Sequence, residues 1–155
     1  MILDVGRLAP GPQIVEGDEE SVLTDLHDAV VRVETPIHYR LTVELLPGEV
    51  LVRGVLSCRV AFVCVRCARP FVREIRVTDF VRSYACPDPL TLKLDLTEDF
   101  REDTILAFPT HPVCAETCRG LCPRCGQDLN ERECRCSKGF SATGWEPLDA
   151  LNLTE

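Results

Sequence analysis

Ten cysteines stand in this 155-residue chain, and six of them (Cys114, Cys118, Cys122, Cys125, Cys134 and Cys136) crowd into residues 114–136. A further pair, Cys64-Val65-Arg66-Cys67, lies upstream. Close thiolate pairs are what a tetrahedral metal site needs, each furnishing half of a four-sulfur shell about 2.3 Å from the ion. The knuckle Cys122-Pro123-Arg124-Cys125-Gly126 is the most specific string, because a glycine after the second cysteine lets backbone amides turn toward the sulfurs. Cys122, Cys125, Cys134 and Cys136 make a compact C-x2-C-x8-C-x-C shell. Cys114 and Cys118 then need partners, and the remaining close pair is Cys64 with Cys67. The expectation is a pair of structural zinc ions per chain. A competing partition joins Cys114, Cys118, Cys122 and Cys125, and sends Cys134 and Cys136 to the upstream pair. His111 could enter a shell but reads more simply as a surface residue. Cys58 reads as a small core residue, and Cys86 has no assigned role.

Rival chemistries fit less well. A disulfide framework needs an oxidising compartment, whereas Met1–Arg7 shows neither a basic n-region nor an apolar h-region. No stretch approaches the roughly 18 to 20 apolar residues of a membrane span. The expected location is cytoplasmic, where thiols stay reduced and paired cysteines read as metal ligands. Cys118-x3-Cys122-x2-Cys125 has the spacing of a radical iron–sulfur site, but the chain is too short for the barrel such enzymes use. A redox C-x-x-C sits at a helix N-terminus; Cys64 and Cys67 instead end a β-pattern.

The elements that must position these cysteines point to an α+β fold, mainly antiparallel β. It comprises a small sheet, one or two short helices and a C-terminal zinc-ribbon-like segment. The expected organisation is a β-rich body over 1–113 and a cysteine-rich tail over 114–155 docked on it. Residues 10–20 read as an acidic loop, and 21–29 as either a short helix or a strand. From residue 36, Ile37, Tyr39, Leu41, Val43 and Leu45 alternate with polar residues, the period of a half-buried strand. Pro47-Gly48-Glu49 reads as a hairpin turn. Residues 50–63 form a second strand, with Val50, Val52, Leu56, Cys58, Val60 and Phe62 on one face. A third carries Phe71, Ile75, Val77 and Val81 inward, which puts residues 64–67 at a hairpin tip. A short helix is expected near 97–108. Thr97 would be its N-cap, with Glu98 and Asp99 in the first turn, and Pro109 would end it. Its inner face is Phe100 with Thr104 and Ala107, or Phe100 with Leu106 and Phe108.

Charge narrows the partners. The net value of −8 argues against a general nucleic-acid binder, and eight thiolates with two zinc ions would take the chain to about −12. Yet residues 58–83 hold six arginines against Glu74 and Asp79. By strand parity Arg53, Arg59, Arg76 and Arg82 share the outer face, with Arg66 and Arg69 at the tip. Arg59, Arg66, Arg69, Arg76 and Arg82 are therefore the candidate contacts to RNA phosphates or a partner. A solvated face paired with acidic segments is the plainer alternative.

Together, Asp95-Leu96-Thr97, Glu102 to Pro109, His111-Pro112-Val113-Cys114, Gly120-Leu121-Cys122-Pro123-Arg124-Cys125-Gly126-Gln127-Asp128-Leu129-Asn130 and Cys134-Arg135-Cys136 resemble the YceD family. Its other name is the large ribosomal RNA subunit accumulation protein family. The likeness covers about residues 30 to 151 and includes Cys64-Val65-Arg66-Cys67. Where members often carry Asp-Pro-Arg after the last cysteines, this chain has Gly144-Trp145-Glu146-Pro147-Leu148. Leu148, Leu151 and Leu153 still resemble the family's apolar C-terminus. The resemblance implies a role in large-subunit ribosomal RNA accumulation and ribosome biogenesis.

An enzyme is not expected. Shells of four cysteines leave no open coordination position, and no G-x-S-x-G, H-E-x-x-H or P-loop string occurs. His27, His38 and His111 fall in no triad spacing. Asp99, Glu102 and Asp103 read as solubilising charges on a helix. The expected partners are ribosomal RNA or a pre-ribosomal particle, or a basic ribosomal or processing protein met by an acidic adaptor surface. No membrane and no small-molecule substrate are expected. A thiol redox or iron–sulfur protein is the remaining alternative.

Overall fold

The computed structural model describes residues 1–9, 11–20, 23 and 30–136. The expectations for 21–29, for residues 144–148, for the C-terminal leucines and for the tail beyond 136 lie outside the described residues. The elements in chain order are β1 (Ile2–Asp4), a 3-10 turn (Val5–Arg7), β2 (Gln13–Glu19), β3 (Val31–Val33), β4 (Ile37–Leu46), β5 (Glu49–Val63), β6 (Pro70–Ala85), β7 (Lys93–Asp95) and α1 (Thr97–Leu106). The fold is mainly antiparallel sheet with one helix among the described residues. No described helix is long and apolar enough to cross a membrane.

The central strand is β5. Along one edge it pairs with β4 and then, past the break at Glu34–Pro36, with β3; along the other it pairs with β6. β2 extends the sheet beyond β4, while β1 and β7 form a separate two-stranded ribbon. The alternation read from residues 37–45 and 50–62 sets the inner face: Ile37, Leu41, Val43, Val50, Val52, Leu56, Cys58, Val60 and Phe62 are all buried. Cys58 packs in this core, and burial pushes its thiol up to about 11. Cys86 is buried in the same cluster. Leu46 faces Glu49 across Pro47–Gly48, the expected turn.

Three local expectations are corrected. Residues 10–20 are not simply an acidic loop, because Gln13–Glu19 form strand β2. Glu16 and Asp18 sit on its outer face, opposite Arg40 at 3.8 Å and His38 at 3.1 Å, and cross-strand pairs of opposite charge favour a strand. On β6, Val81 is 53 % exposed and Phe80 is buried. Gly54 and Leu56 are matched by Phe80 and Val77, so β6 carries one extra residue there. Such a bulge inverts the inward parity of everything after it. The helix begins at Thr97 with Leu96 in the cap position, and Thr97 is not the cap. The Asp95 carboxylate instead accepts the Thr97 N–H at 3.0 Å and its hydroxyl at 2.5 Å, which holds the Asp95 carboxyl below its ordinary range.

α1 lies on the inner face. Phe100 packs between Tyr39 and Phe80, with ring centroids 5.4 Å from each, and Phe108 meets Phe62 edge-on at 5.6 Å. Phe100 and Thr104 are its buried residues, whereas Leu106 and Ala107 face out. The helix stops at Leu106, ahead of Pro109. The same bulge that exposes Val81 turns Arg82 toward α1, so the outer-face placement of Arg82 is also corrected. Its guanidinium donates to Asp99 at 2.9 Å and Asp103 at 2.8 Å, and Tyr84 donates its hydroxyl to Asp99. Asp99 and Asp103 are thus helix-to-sheet anchors as well as surface charge.

Candidate metal centres

The long β5–β6 hairpin ends in a turn at residues 64–69. The Cys64 N–H donates to the Arg69 carbonyl and the Ala68 N–H to the Cys64 carbonyl, both at 2.9 Å, so Cys64 and Cys67 are folded toward one another. Beyond α1 the chain returns to this tip: the Val65 N–H donates to the Pro112 carbonyl at 2.9 Å, bringing Cys114 and Cys118 alongside. The four sulfurs of Cys64, Cys67, Cys114 and Cys118 lie within 4.8 Å of one another. Cys64 is 3.9 Å from Cys118, and Cys67 is 3.7 Å from Cys114. Four ligands at about 2.3 Å from one tetrahedral ion stand about 3.8 Å apart, so the spacing fits a single ion. Cys64, Cys67 and Cys118 are buried in a small cluster with Phe71 and Val113, and Phe71 also packs against the main core.

The second group is local to the tail. Cys122, Cys125, Cys134 and Cys136 also place their sulfurs within 4.8 Å of one another, with Cys122 and Cys134 3.4 Å apart. Gly126 takes φ 70° and donates its N–H to the Cys122 carbonyl at 2.9 Å, closing the knuckle. The Cys122 N–H in turn donates to the Gln127 carbonyl at 2.8 Å. This group is more open: each group has one exposed cysteine, but here Cys134 and Cys136 are also only half-buried.

Electrostatics prepares each group for a cation. Burial pushes the Cys64 thiol up, but N–H donors from Cys114, Cys67 and Arg66 outweigh it and bring it down to about 6. The N–H groups of Cys125 and Arg124 hold Cys122 at about 6 as well. Sharing with Cys125 pushes Cys136 up to about 12. Four thiols in contact cannot all ionise by themselves, whereas a divalent cation replaces the remaining protons. All-sulfur sets of this geometry could hold a soft metal ion.

Neither rival gathering occurs. Cys118 lies apart from Cys122 and Cys125, which brings together neither the C-x3-C-x2-C trio nor the competing partition. His111 is exposed and outside both groups.

The candidate arginines divide. Arg66 donates to the carbonyls of Glu116 and Cys118, each at 3.1 Å. Arg69 reaches Asp128 at 2.7 Å and Glu131 at 2.5 Å. Both therefore hold the tail segment to the hairpin tip. Arg59 and Arg76 stand exposed on the outer face, Arg76 with Glu74 at 3.4 Å and Arg59 without an ion pair among the described residues. Missed by the sequence reading were Gly120 and Asn130. Gly120 has φ 74°, and a side chain there would meet the Arg66 carbonyl oxygen at 2.9 Å. Asn130 donates to the Cys118 sulfur at 3.4 Å. The Gly120-Leu121-Cys122 and Leu129-Asn130 strings carried the signal, but only as part of a motif.

Ala68 occupies in the first knuckle the place Gly126 holds in the second, at φ 56°. A left-handed alanine costs about 1–2 kcal/mol, against about 0.5–1 kcal/mol of extra chain entropy lost by a glycine. Ala68→Gly is expected to stabilise the metal-loaded protein by about 0.5–1 kcal/mol in denaturant melts. A lower midpoint would contradict this.

The family described as "Large ribosomal RNA subunit accumulation protein YceD" matches residues 87–152. An Arabidopsis thaliana protein, "Large ribosomal RNA subunit accumulation protein YCED homolog 1, chloroplastic", is 30 % identical over 41 % of this chain, a match that spans 20 % of that protein. An uncharacterized protein of Mycobacterium tuberculosis is 32 % identical over 83 % of this chain and 70 % of its own length. A Mycobacterium leprae relative is 27 % identical over 64 % of this chain and 52 % of its own. No solved structure matches. With the family match over residues 87–152 taking in the tail cysteines, the chain belongs to the YceD family.

Proposed function

We propose that the protein is a non-enzymatic zinc-binding factor that supports large-subunit ribosomal RNA accumulation, and that it acts by holding a β-hairpin scaffold in place for a basic ribosomal or processing protein. The observation that carries this reading is the gathering of eight cysteines into two four-sulfur sets. Sulfurs this close enclose one ion and leave no room for a multi-iron core. Zinc held by four thiolates has no open position for water, so its contribution is mechanical: it closes loops that a small core would not hold.

A protein partner is favoured over broad phosphate contact by where the arginines are. Arg66, Arg69 and Arg82 are committed to internal carboxylates and carbonyls. The outer face that bears Arg59 and Arg76 also bears Glu16, Asp18 and Glu74. Elemental analysis of protein purified without added metal is expected to give two zinc ions per chain. Cells lacking the protein are expected to lose large-subunit ribosomal RNA relative to the small subunit. R59E/R76E should restore it and C64S/C67S should not. Failure of R59E/R76E would move the contact to RNA, and metal-free active protein would sink the zinc reading.

A further inference from the structure

We propose that the two cysteine groups load with metal as one cooperative unit, coupled through Asn130. Each ion then raises the affinity of the other group. The proposal rests on metal occupying both groups.

Asn130 lies in the tail loop between Cys125 and Cys134, yet its Nδ2 donates to the sulfur of Cys118, a member of the hairpin-tip group, at 3.4 Å. Its Oδ1 accepts the Arg119 N–H at 2.7 Å. Its Nδ2 and its backbone N–H both reach the Asp128 carboxylate at 2.8 Å. Asp128 pairs at 2.7 Å with Arg69, which belongs to the hairpin tip, and the Asn130 N–H and Arg69 both hold the Asp128 carboxyl below its ordinary range. The backbone runs the same way: Leu129 donates to the Gly120 carbonyl and Leu121 to the Arg66 carbonyl, each at 2.9 Å. Cys118 and Cys122, one from each group, bracket this bridge.

The coupling follows from what must be ordered. An ion closing residues 122–136 fixes the loop that carries Asn130, so the N–H donor to Cys118 is already placed when the other ion arrives. A donor to a ligand sulfur favours its charged form, and outer-shell partners of this type change metal affinity by about 10–100-fold. Linkage makes the effect reciprocal: an ion at the tip fixes Cys118, Arg119 and Arg69, which in turn hold Asn130 and Asp128 and pre-shape the tail loop.

Native mass spectrometry of the full chain with one equivalent of zinc reads this directly. Independent sites, equal or unequal, leave at least about half of the chains with one ion. The coupled protein is expected to show mainly metal-free and two-ion chains, with the one-ion form well below that share. Asn130→Ala keeps every cysteine and should return the one-ion form to about half or above. A merely structural asparagine would lower overall affinity and leave the distribution depleted, which would overturn the role assigned to it. In chelator competition, C134S/C136S should weaken the hairpin-tip group about tenfold or more, and an unchanged affinity there overturns the coupling. Wild-type protein that binds two ions independently sinks the cooperativity alone, whereas protein that takes up no zinc sinks this proposal together with the zinc reading.

Discussion

Replacing Cys64 and Cys67 with serine is expected to abolish metal binding at the hairpin tip and to free residues 109–121 from it. Structural zinc contributes an apparent 10–16 kcal/mol, roughly, in small sulfur-rich domains. What else holds this segment is slight. Arg66 donates to the carbonyls of Glu116 and Cys118, bonds from a charged donor that contribute at most about 1.5–3 kcal/mol each. The backbone bonds Val65 to Pro112 and Leu121 to Arg66 add about 1 kcal/mol apiece. Ordering a residue costs about 1–2 kcal/mol, so these contacts alone cannot hold a dozen residues in place. The main core buries its own set of residues and should persist. Limited proteolysis should therefore cut within 109–121 while the β-sheet circular dichroism signal survives. A segment that stays protected in C64S/C67S would show that protein contacts, and not metal, dock it.

Gly120→Val should be strongly damaging where the tail meets the hairpin tip. Two penalties coincide there. A φ of 74° costs a branched residue at least about 1–2 kcal/mol, and its Cβ would stand 2.9 Å from the Arg66 carbonyl oxygen. Relieving that contact pulls Leu121 N–H off the same oxygen, leaving a polar pair unmet at about 1–3 kcal/mol. The expected total is about 3 kcal/mol or more, read as a lower melting temperature and easier zinc loss to a chelator. Gly126 supplies the control. Its φ of 70° is similar, but nothing lies within 4 Å of the point where an alanine methyl would sit, so Gly126→Ala should cost only about 0.5–1 kcal/mol. Equal losses at the two glycines would mean that backbone conformation, and not the close approach to Arg66, is what matters.

Much of this was legible because it is local. Alternation at residues 37–45 and 50–62 is a two-residue period, and strand burial follows it. Cysteine pairs two to four residues apart nearly dictate which sulfurs can meet, and pair counting then reaches across the chain from Cys118 to Cys64. The features that stayed hidden depend on neighbours. An acidic run reads as a loop until Arg40 and His38 stand opposite it. One extra residue near Thr78 and Asp79 cannot be seen in a sequence whose apolar positions Phe80 and Val81 are adjacent, and it alone decides whether Arg82 meets solvent or α1. Arg66 and Arg69 look like free cations until the tail folds back over them. Asp95 likewise competes with Thr97 for the helix start, and spacing cannot separate a cap from a residue that is itself held.

The two cysteine groups also differ in when they can exist. Cys122 and Cys134 are 12 residues apart, whereas Cys67 and Cys114 are separated by 47 and Cys64 and Cys118 by 54. Loop-closure cost rises slowly with length, but long-range contacts slow assembly far more. On a growing chain Cys64 and Cys67 wait for their partners throughout the synthesis of β6, β7 and α1. The tip can close only after residue 118 has emerged, and the tail group only once Cys136 has followed. Completion of the fold is therefore timed by the C-terminal third of the chain, and a nascent protein stalled before it would present unfilled thiolates at the end of an otherwise finished sheet.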